Sequence, residues 1–434
     1  MVWDTPTIIA VSLFILSYGI IVTEKLHKTI IALVGASLLI VFGVITQDEA
    51  VGHGSAEGYI DYNTIGLLLG MMILVTIIKQ TGLFEYIAIK QAKMAKGCSN
   101  RIFISFMVIT AVLSAFLDNV TTIIVMVPVT LNICRVLGVS PVPYVIAEIF
   151  TSNIGGTATL IGDPPNIMIG SGTHLDFADF IYNLTPIVIV TLIICLWIFK
   201  IIYRKDLNNA KCSIELLDLD ESKTITDRTL LIKSLSVMGL VIIGFFLHGA
   251  LHLESATIAM AGAAILLTIG KVDVEKVLDG VEWTTLFFFI GLFILVGGLE
   301  KVGVLEYLAE LTFDVTEGDL FFTGLAILWI SAIASAFVDN IPFVATMIPM
   351  IHKLSELSGG ANVDFLWWCL ALGACFGGNG TIIGASANVI GSDLLRSGSD
   401  YNLSFKSYFK VAFPMMLLTM VIATIYAVIF LWKS

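Results

Sequence analysis

The sequence predicts an all-α polytopic membrane protein built from two inverted-topology repeats, each with a re-entrant helical hairpin and a broken transmembrane helix. Three observations predict it. The 434 residues are 57% hydrophobic and only 13% charged, where a soluble domain carries about 25% charged residues. Apolar stretches of about 17–22 residues recur from end to end, long enough to cross a ~30 Å hydrocarbon core. Finally, Ser114-Ala-Phe-Leu-Asp-Asn-Val120 returns as Ser335-Ala-Phe-Val-Asp-Asn-Ile341, an offset of 221, with seven identities in fifteen over 114–128 and 335–349.

Taken in order, spans are expected near 6–23, 28–46, 62–81, 144–172, 184–203, 229–249, 253–270, 284–301, 363–396 and 406–431. The opening Met1-Val-Trp-Asp-Thr-Pro has no basic n-region, so 6–23 reads as an uncleaved helix. Two further apolar segments, 101–136 and 320–357, hold the Asp-Asn pairs at their centres. Each is too long for one span and polar in its middle, which suits a hairpin entering and leaving on one side; such backbone survives at depth only inside protein or beside a water cavity.

Charge sets the orientation. With the N-terminus outside and both segments re-entrant, 20 of the 23 basic residues are cytoplasmic, leaving Lys301, Lys353 and Lys433 outside. The C-terminus is then also outside. Five spans separate the hairpins, and an odd number inverts the second copy. Residues 1–203 form the first repeat, 204–228 a polar cytoplasmic linker, and 229–434 the second repeat. Gly82-Leu-Phe-Glu-Tyr86 matches Gly303-Val-Leu-Glu-Tyr307, each predicting a short interfacial helix, and Gly70 matches Gly291. The net charge of −11 comes with few, dispersed basic residues and gives no reason to expect nucleic acid. The six cysteines never form a CxxC, which argues against a metal site and a disulfide framework. His248 and His252 are expected on the surface of an outside loop.

An ionisable residue at membrane depth costs about 2.5–3.5 kcal/mol, so two copies at matched positions imply duplicated chemistry. Beside each hairpin stands a glycine-rich break: Asn153-Ile-Gly-Gly-Thr-Ala-Thr-Leu-Ile-Gly-Asp-Pro-Pro-Asn166, and Gly377-Gly-Asn-Gly-Thr-Ile-Ile-Gly-Ala-Ser-Ala-Asn388. Here the offset is 222. Glycine lets the chain unwind close to an ion. Pro164 and Pro165 suit the first turn of a new half-helix, with Asp163 as an N-cap. Half-helix N-termini attract anions, and unwound carbonyls attract cations. A Na⁺ cage of carboxylate, amide, hydroxyl and carbonyl oxygens can therefore be drawn from Asp118, Asn119, Gly156, Thr157, Thr159, Asp163 and Asn166 in one half, and from Asp339, Asn340, Asn379, Thr381 and Asn388 in the other. Na⁺ is placed at Asp118, Asn119, Asp339 and Asn340. The competing role for the tip acids is helix capping, as it is for Asp163. Glu148, alone in an apolar run with Leu370 at the matching place, is a candidate proton carrier or a buried acid bonded for packing.

The strings Ser114–Pro128, Asn153–Asn166, Ser335–Pro349 and Gly377–Asn388 resemble the ion transporter superfamily, most closely its P protein-like branch. The arsenite permeases and NhaD-type sodium/proton antiporters are relatives of that branch. The resemblance covers nearly the whole chain. It implies a homodimer in the plasma (inner) membrane of a prokaryote, with a scaffold part and a transport part in each protomer and an elevator-like movement. The divalent-anion/sodium symporters of the superfamily carry Ser-Asn-Thr at the hairpin tips, where this chain has Asp118-Asn119-Val120 and Asp339-Asn340-Ile341. Two carboxylates repel a dianion unless cations neutralise them.

The expected function is a cation-coupled (Na⁺ or H⁺) secondary active transporter for a small anion, working without a cofactor beyond the coupling ion. The alternative is a Na⁺/H⁺ antiporter using the tip acids. A passive anion channel is less favoured, because broken helices occlude rather than line a pore. No nucleophile–base pair suggests an enzyme. The expected partners are the lipid bilayer, a small ionic substrate and a second copy of the chain.

Overall fold

The computed structural model describes residues 3–23, 25–53, 58–208 and 220–433, and no strand occurs among them. The first half contains α1 (Thr5–Val22), α2 (Lys28–Val41), α3 (Gln47–Val51), α4 (Tyr62–Gln80), α5 (Leu83–Met94), α6 (Ser99–Phe116), α7 (Asn119–Leu137), α8 (Val142–Gly156), α9 (Pro164–Ser171) and α10 (Phe177–Ile202). After the short α11 (Arg204–Asn208) the second half repeats the order: α12 (Arg228–Leu251), α13 (Ser255–Gly270), α14 (Val274–Asp279), α15 (Trp283–Lys301), α16 (Val304–Val315), α17 (Leu320–Phe337), α18 (Asn340–Leu357), α19 (Asp364–Gly377), α20 (Ser386–Gly398) and α21 (Phe405–Ile429). The bounds of α4, α5 and α6 become those of α15, α16 and α17 when 221 is added to each. Eight helices among the described residues are long and apolar enough to cross a membrane. Shorter apolar helices add to these at Thr5–Ile21, Lys28–Val41 and Ser255–Gly270.

Local chemistry explains the boundaries. Gly82 and Gly303 adopt φ of +76° and +74° just before α5 and α16, a conformation that makes glycine the natural residue at both. The helix expected over 28–46 stops at Val41, because Gly43 turns left-handed and Thr46 opens a capping box with Glu49 that starts α3. His248 lies in the last turn of α12 rather than in a loop, and His252 caps that helix in the left-handed region. Cys98 is disulfide-bonded, which the absence of a CxxC did not foretell, since pairing follows the fold and not the spacing. Cys134, Cys195, Cys369 and Cys375 are free and buried. Much of the predicted linker, 209–219, lies outside the described residues; beyond it, Glu221 pairs with Lys93 of α5 at 2.6 Å.

Contacts sort the helices into two groups. One holds α1–α4 with α12–α15, where α4 crosses α13 and α15 crosses α2. The crossings are close: a Cβ on Gly70 would lie 2.7 Å from the Ala259 backbone, and one on Gly291 2.6 Å from that of Ala32. The second group holds α6–α10 with α17–α21. Here the halves exchange partners, α20 packing on α7 and α9 on α18. Helices α5 and α16 connect the groups. The functional candidates sit in the second group, where the exchange brings both breaks together.

Candidate functional site

The two tips are helix starts. Leu117 and Val338 are extended, ending α6 and α17, and Asp118 and Asp339 are the N-caps of α7 and α18. Asp118 accepts from Thr121 twice, from N at 2.7 Å and from Oγ1 at 2.5 Å. Asp339 accepts from Ile341 N at 3.3 Å through Oδ1 only. Its Oδ2 faces elsewhere, toward Lys28 Nζ at 2.5 Å and Ser386 Oγ at 2.9 Å. Capping is therefore part of what both acids do, and at Asp339 it leaves one oxygen for other work.

The breaks are held by a duplicated set of hydrogen bonds. Ser114 Oγ donates to Ser152 O and Ser335 Oγ to Ala374 O, at 2.7 and 2.6 Å. Thr159 Oγ1 donates to Ala115 O and Thr381 Oγ1 to Ala336 O, both at 2.5 Å. Asn166 Nδ2 bridges Thr157 O and Thr159 O, while Asn388 Nδ2 bridges Gly378 O and Thr381 O. The threonines donate to last-turn carbonyls of α6 and α17 and the asparagines to carbonyls of the breaks, groups that helix ends and unwinding leave to be bonded, as buried backbone requires. The two sides of each break also touch: a Cβ on Gly156 would sit 2.4 Å from Gly162 O, and one on Gly384 2.5 Å from Gly378 O.

Between the breaks lies a buried amide network. Asn153 is its hub. Its Oδ1 accepts from Asn119 Nδ2 at 2.9 Å, and its Nδ2 donates to Asn379 Oδ1 at 3.0 Å and Asn388 Oδ1 at 2.9 Å. The first tip thus reaches its own break, and through Asn153 the other one. The second tip crosses over, with Asn340 Nδ2 donating to Asp163 Oδ1 at 3.4 Å. Asp163 occupies the N-cap position of α9, but its side chain does not cap. Pro164 and Pro165 have no N–H, so the carboxylate is free to face the second half. Its Oδ2 and Asn119 Oδ1 are buried with no hydrogen-bond partner. Such an oxygen costs about 1–3 kcal/mol, more when charged, unless something binds it.

Of the expected site residues, Asn119, Asn379 and Asn388 each bond to Asn153, while Asn340 and Asp163 bond to each other. Thr157, Thr159, Gly156, Thr381 and Asn166 shape the breaks around them. Glu148 stands apart, accepting from Thr130 Oγ1 of α7 at 2.5 Å with Oε2 unpartnered. Sequence reasoning missed three participants. Asn153 heads the first break, and its signal is position: an amide four residues before Thr157 lies one helical turn from the unwinding. Ser386 was hidden by its counterpart Pro164. Lys28 counted only as a cytoplasmic charge, and nothing local marks it as an ion-pair partner 311 residues from Asp339.

Among the described residues, the two helical groups meet through polar contacts at two places. One is the Lys28–Asp339–Ser386 cluster. At the other, Ser171 Oγ donates to Asp61 Oδ1 at 2.9 Å, and Asn63 Nδ2 reaches Ser171 Oγ at 3.1 Å.

Known proteins resemble this chain along most of its length. It is 43% identical over 385 residues to an uncharacterized transporter of Mycobacterium tuberculosis, covering 88% of this chain and 89% of that one. It is 40% identical over 422 residues to a 46 kDa membrane protein of Mycobacterium leprae, covering 97% and 98%. The human P protein is 34% identical over 506 residues, covering 98% of this chain and 60% of that longer protein. Among solved structures, the YdaH transporter of Alcanivorax borkumensis superposes with a TM-score of 0.61 over 99% of both chains at 12% identity, which speaks for the fold. The model of a family described as citrate transporter matches residues 18–373, most of the chain. With its helices, its paired breaks and this match, the chain is an integral membrane transporter and belongs to the citrate transporter family, within the ion transporter superfamily.

Proposed function

We propose that this chain is a cation-coupled secondary active transporter that carries a small anion, with Na⁺ or H⁺ as the coupling ion, by an elevator-type movement of the second helical group against the first. One observation carries the reading: two buried oxygens lack partners, Asn119 Oδ1 in the amide network around Asn153 and Asp163 Oδ2 in the Asn340–Asp163 contact that links the halves. A hard cation takes oxygen ligands, amide and carboxylate alike. The two hairpins open to opposite sides of the membrane in this proposal, with both termini outside.

Two features point to the anion. The family's description names citrate, a small carboxylate. The half-helix α20 begins Ser386-Ala-Asn388, with N–H groups that the Pro-Pro start of α9 lacks, so an anion fits the second break better than the first. Na⁺/H⁺ antiport is a second reading, favoured by the sign of the groups here: Asp118, Asp163 and Asp339 are acidic, and the Lys28 ammonium is already paired. Glu148 would carry the proton where H⁺ is the coupling ion or is exchanged for Na⁺.

Transport in proteoliposomes tests the proposal, with citrate and other small carboxylates scanned under Na⁺ and pH gradients. Anion uptake that follows either gradient is the expected result. Proton movement driven by Na⁺ without any anion would select antiport, and flux indifferent to both gradients would sink coupling. The same vesicles test orientation, since Gln47→Cys should label from outside and Lys223→Cys from inside. Native mass spectrometry should show a homodimer.

A further inference from the structure

Lys28 is the first residue of α2, in the first helical group. Its ammonium lies 2.5 Å from Asp339 Oδ2 and 2.6 Å from Ser386 Oγ, and 4.7 Å from the centre of the Phe288 ring on α15. Ser386 Oγ in turn donates to Asp339 Oδ2 at 2.9 Å. A carboxylate, a hydroxyl and an aromatic face are together the surroundings of a bound cation. Here the cation is part of the chain. The carboxylate side is nearly dry, Asp339 keeping 9% of its side-chain surface exposed against 25% for Lys28.

Among the described residues, no ammonium or guanidinium pairs with the first tip. Its Asp118 carboxylate turns back on Thr121 with both oxygens. At the place corresponding to Lys28, the start of α13 at an offset of 227, the residue is Ser255. The duplicated tips are therefore electrically unequal.

We infer that Lys28 is a tethered occupant of the second tip, a resident ammonium that closes Asp339 to free cations in this conformation and leaves the first tip and Asp163 as the open cation site. The inference rests on the cation-coupled reading above and adds a division of labour to it. It also gives the ion pair a mechanical consequence. Lys28 belongs to one helical group and Asp339 to the other, so any sliding between them must part the pair and leave Asp339 to find another cation. Separating partly buried charges is costly unless each is compensated. A free cation or proton taken up at Asp339 would compensate it, which couples ion uptake at that tip to the movement.

The test is equilibrium binding of radioactive sodium to the purified full-length protein in detergent, with choline as the inert counter-cation. Lys28→Met removes the resident charge and should raise bound sodium about twofold, one newly opened carboxylate site beside the existing one. Adding Asp339→Asn to Lys28→Met should remove the gain, and Lys28→Arg should bind like the unaltered protein. Size-exclusion elution reports folding, with Lys28→Gln as the second uncharged variant. Unchanged sodium binding in folded Lys28→Met or Lys28→Gln would overturn the inference, as would a gain that survives Asp339→Asn. If the unaltered protein binds no sodium while Lys28→Met does, the sodium branch of the proposed function fails and the tethered occupant stands.

Discussion

Set side by side, the first and second breaks keep the same scaffolding and differ in their chemistry. Ser114 and Ser335, Thr159 and Thr381, Asn166 and Asn388 make matching bonds to matching carbonyls. Among the positions that do not match are Glu148 against Leu370, Asn153 against Cys375, Thr157 against Asn379, Asp163 against Ala385 and Pro164 against Ser386. Duplication preserved what satisfies an unwound backbone, because both copies have the same orphaned carbonyls to bond. Charge and the amide hub occur once. A duplicated residue here is chiefly a structural one, and an unduplicated polar residue marks function.

The comparison would break most sharply at Asp163. Asp163→Asn keeps the shape and the bond from Asn340 while removing the charge, so cation-dependent transport should fall to background with the thermal unfolding midpoint unchanged or raised. Asp118→Asn should abolish the same transport, though with some loss of stability because a cap is weakened. Full transport in either variant, measured in proteoliposomes, would show that Asp163 or Asp118 is not a cation ligand.

The matched positions should answer in the opposite way. Asn388→Ala deletes two donors to carbonyls and one acceptor for Asn153, leaving buried groups unpaired, and should cost about 2–4 kcal/mol. Asn166→Ala should cost less, since its amide oxygen meets only the weak donor Cys375 Sγ at 3.6 Å. Thermal unfolding in detergent checks the order. An Asn166 variant that is the less stable of the two would mean that the duplicated scaffold is not equivalent in the way its bonds suggest.

Legibility in the sequence follows the same division. Helices follow from period and composition, and breaks from glycine and proline, because those depend on near neighbours along the chain. The Asp-Asn tips are visible as charges in apolar runs. The end of α2 is not, since a capping box at Thr46 overrides a continuous apolar pattern. Asn153 carries no charge to set it apart from the other polar residues of its break, and its hub role depends on partners in the second half. Lys28 answers to no local pattern either, for Asp339 is equally remote, and counting charges for orientation treats every lysine as solvated.

The smallest effect sharpens what is special about Lys28. Lys301 of α15 also pairs with a carboxylate, Glu49 of α3, at 2.5 Å, but both helices belong to the first group and both side chains are partly solvated. The hydrogen bond from Lys301, with those from Thr46, holds the Glu49 carboxyl down at about 2. A depressed acid stabilises the fold above its unfolded value near 4.5, and that contribution fades as pH falls through the folded value. Lys301→Met should thus cost about 0.5 kcal/mol at neutral pH, given solvent screening, and progressively less toward about pH 2. It should leave sodium binding untouched, because no open carboxylate site is created among the breaks. If Lys301→Met raised sodium binding as Lys28→Met is expected to, the gain would reflect lost positive charge anywhere on the protein. The particular seat of Lys28 between two helical groups would then explain nothing.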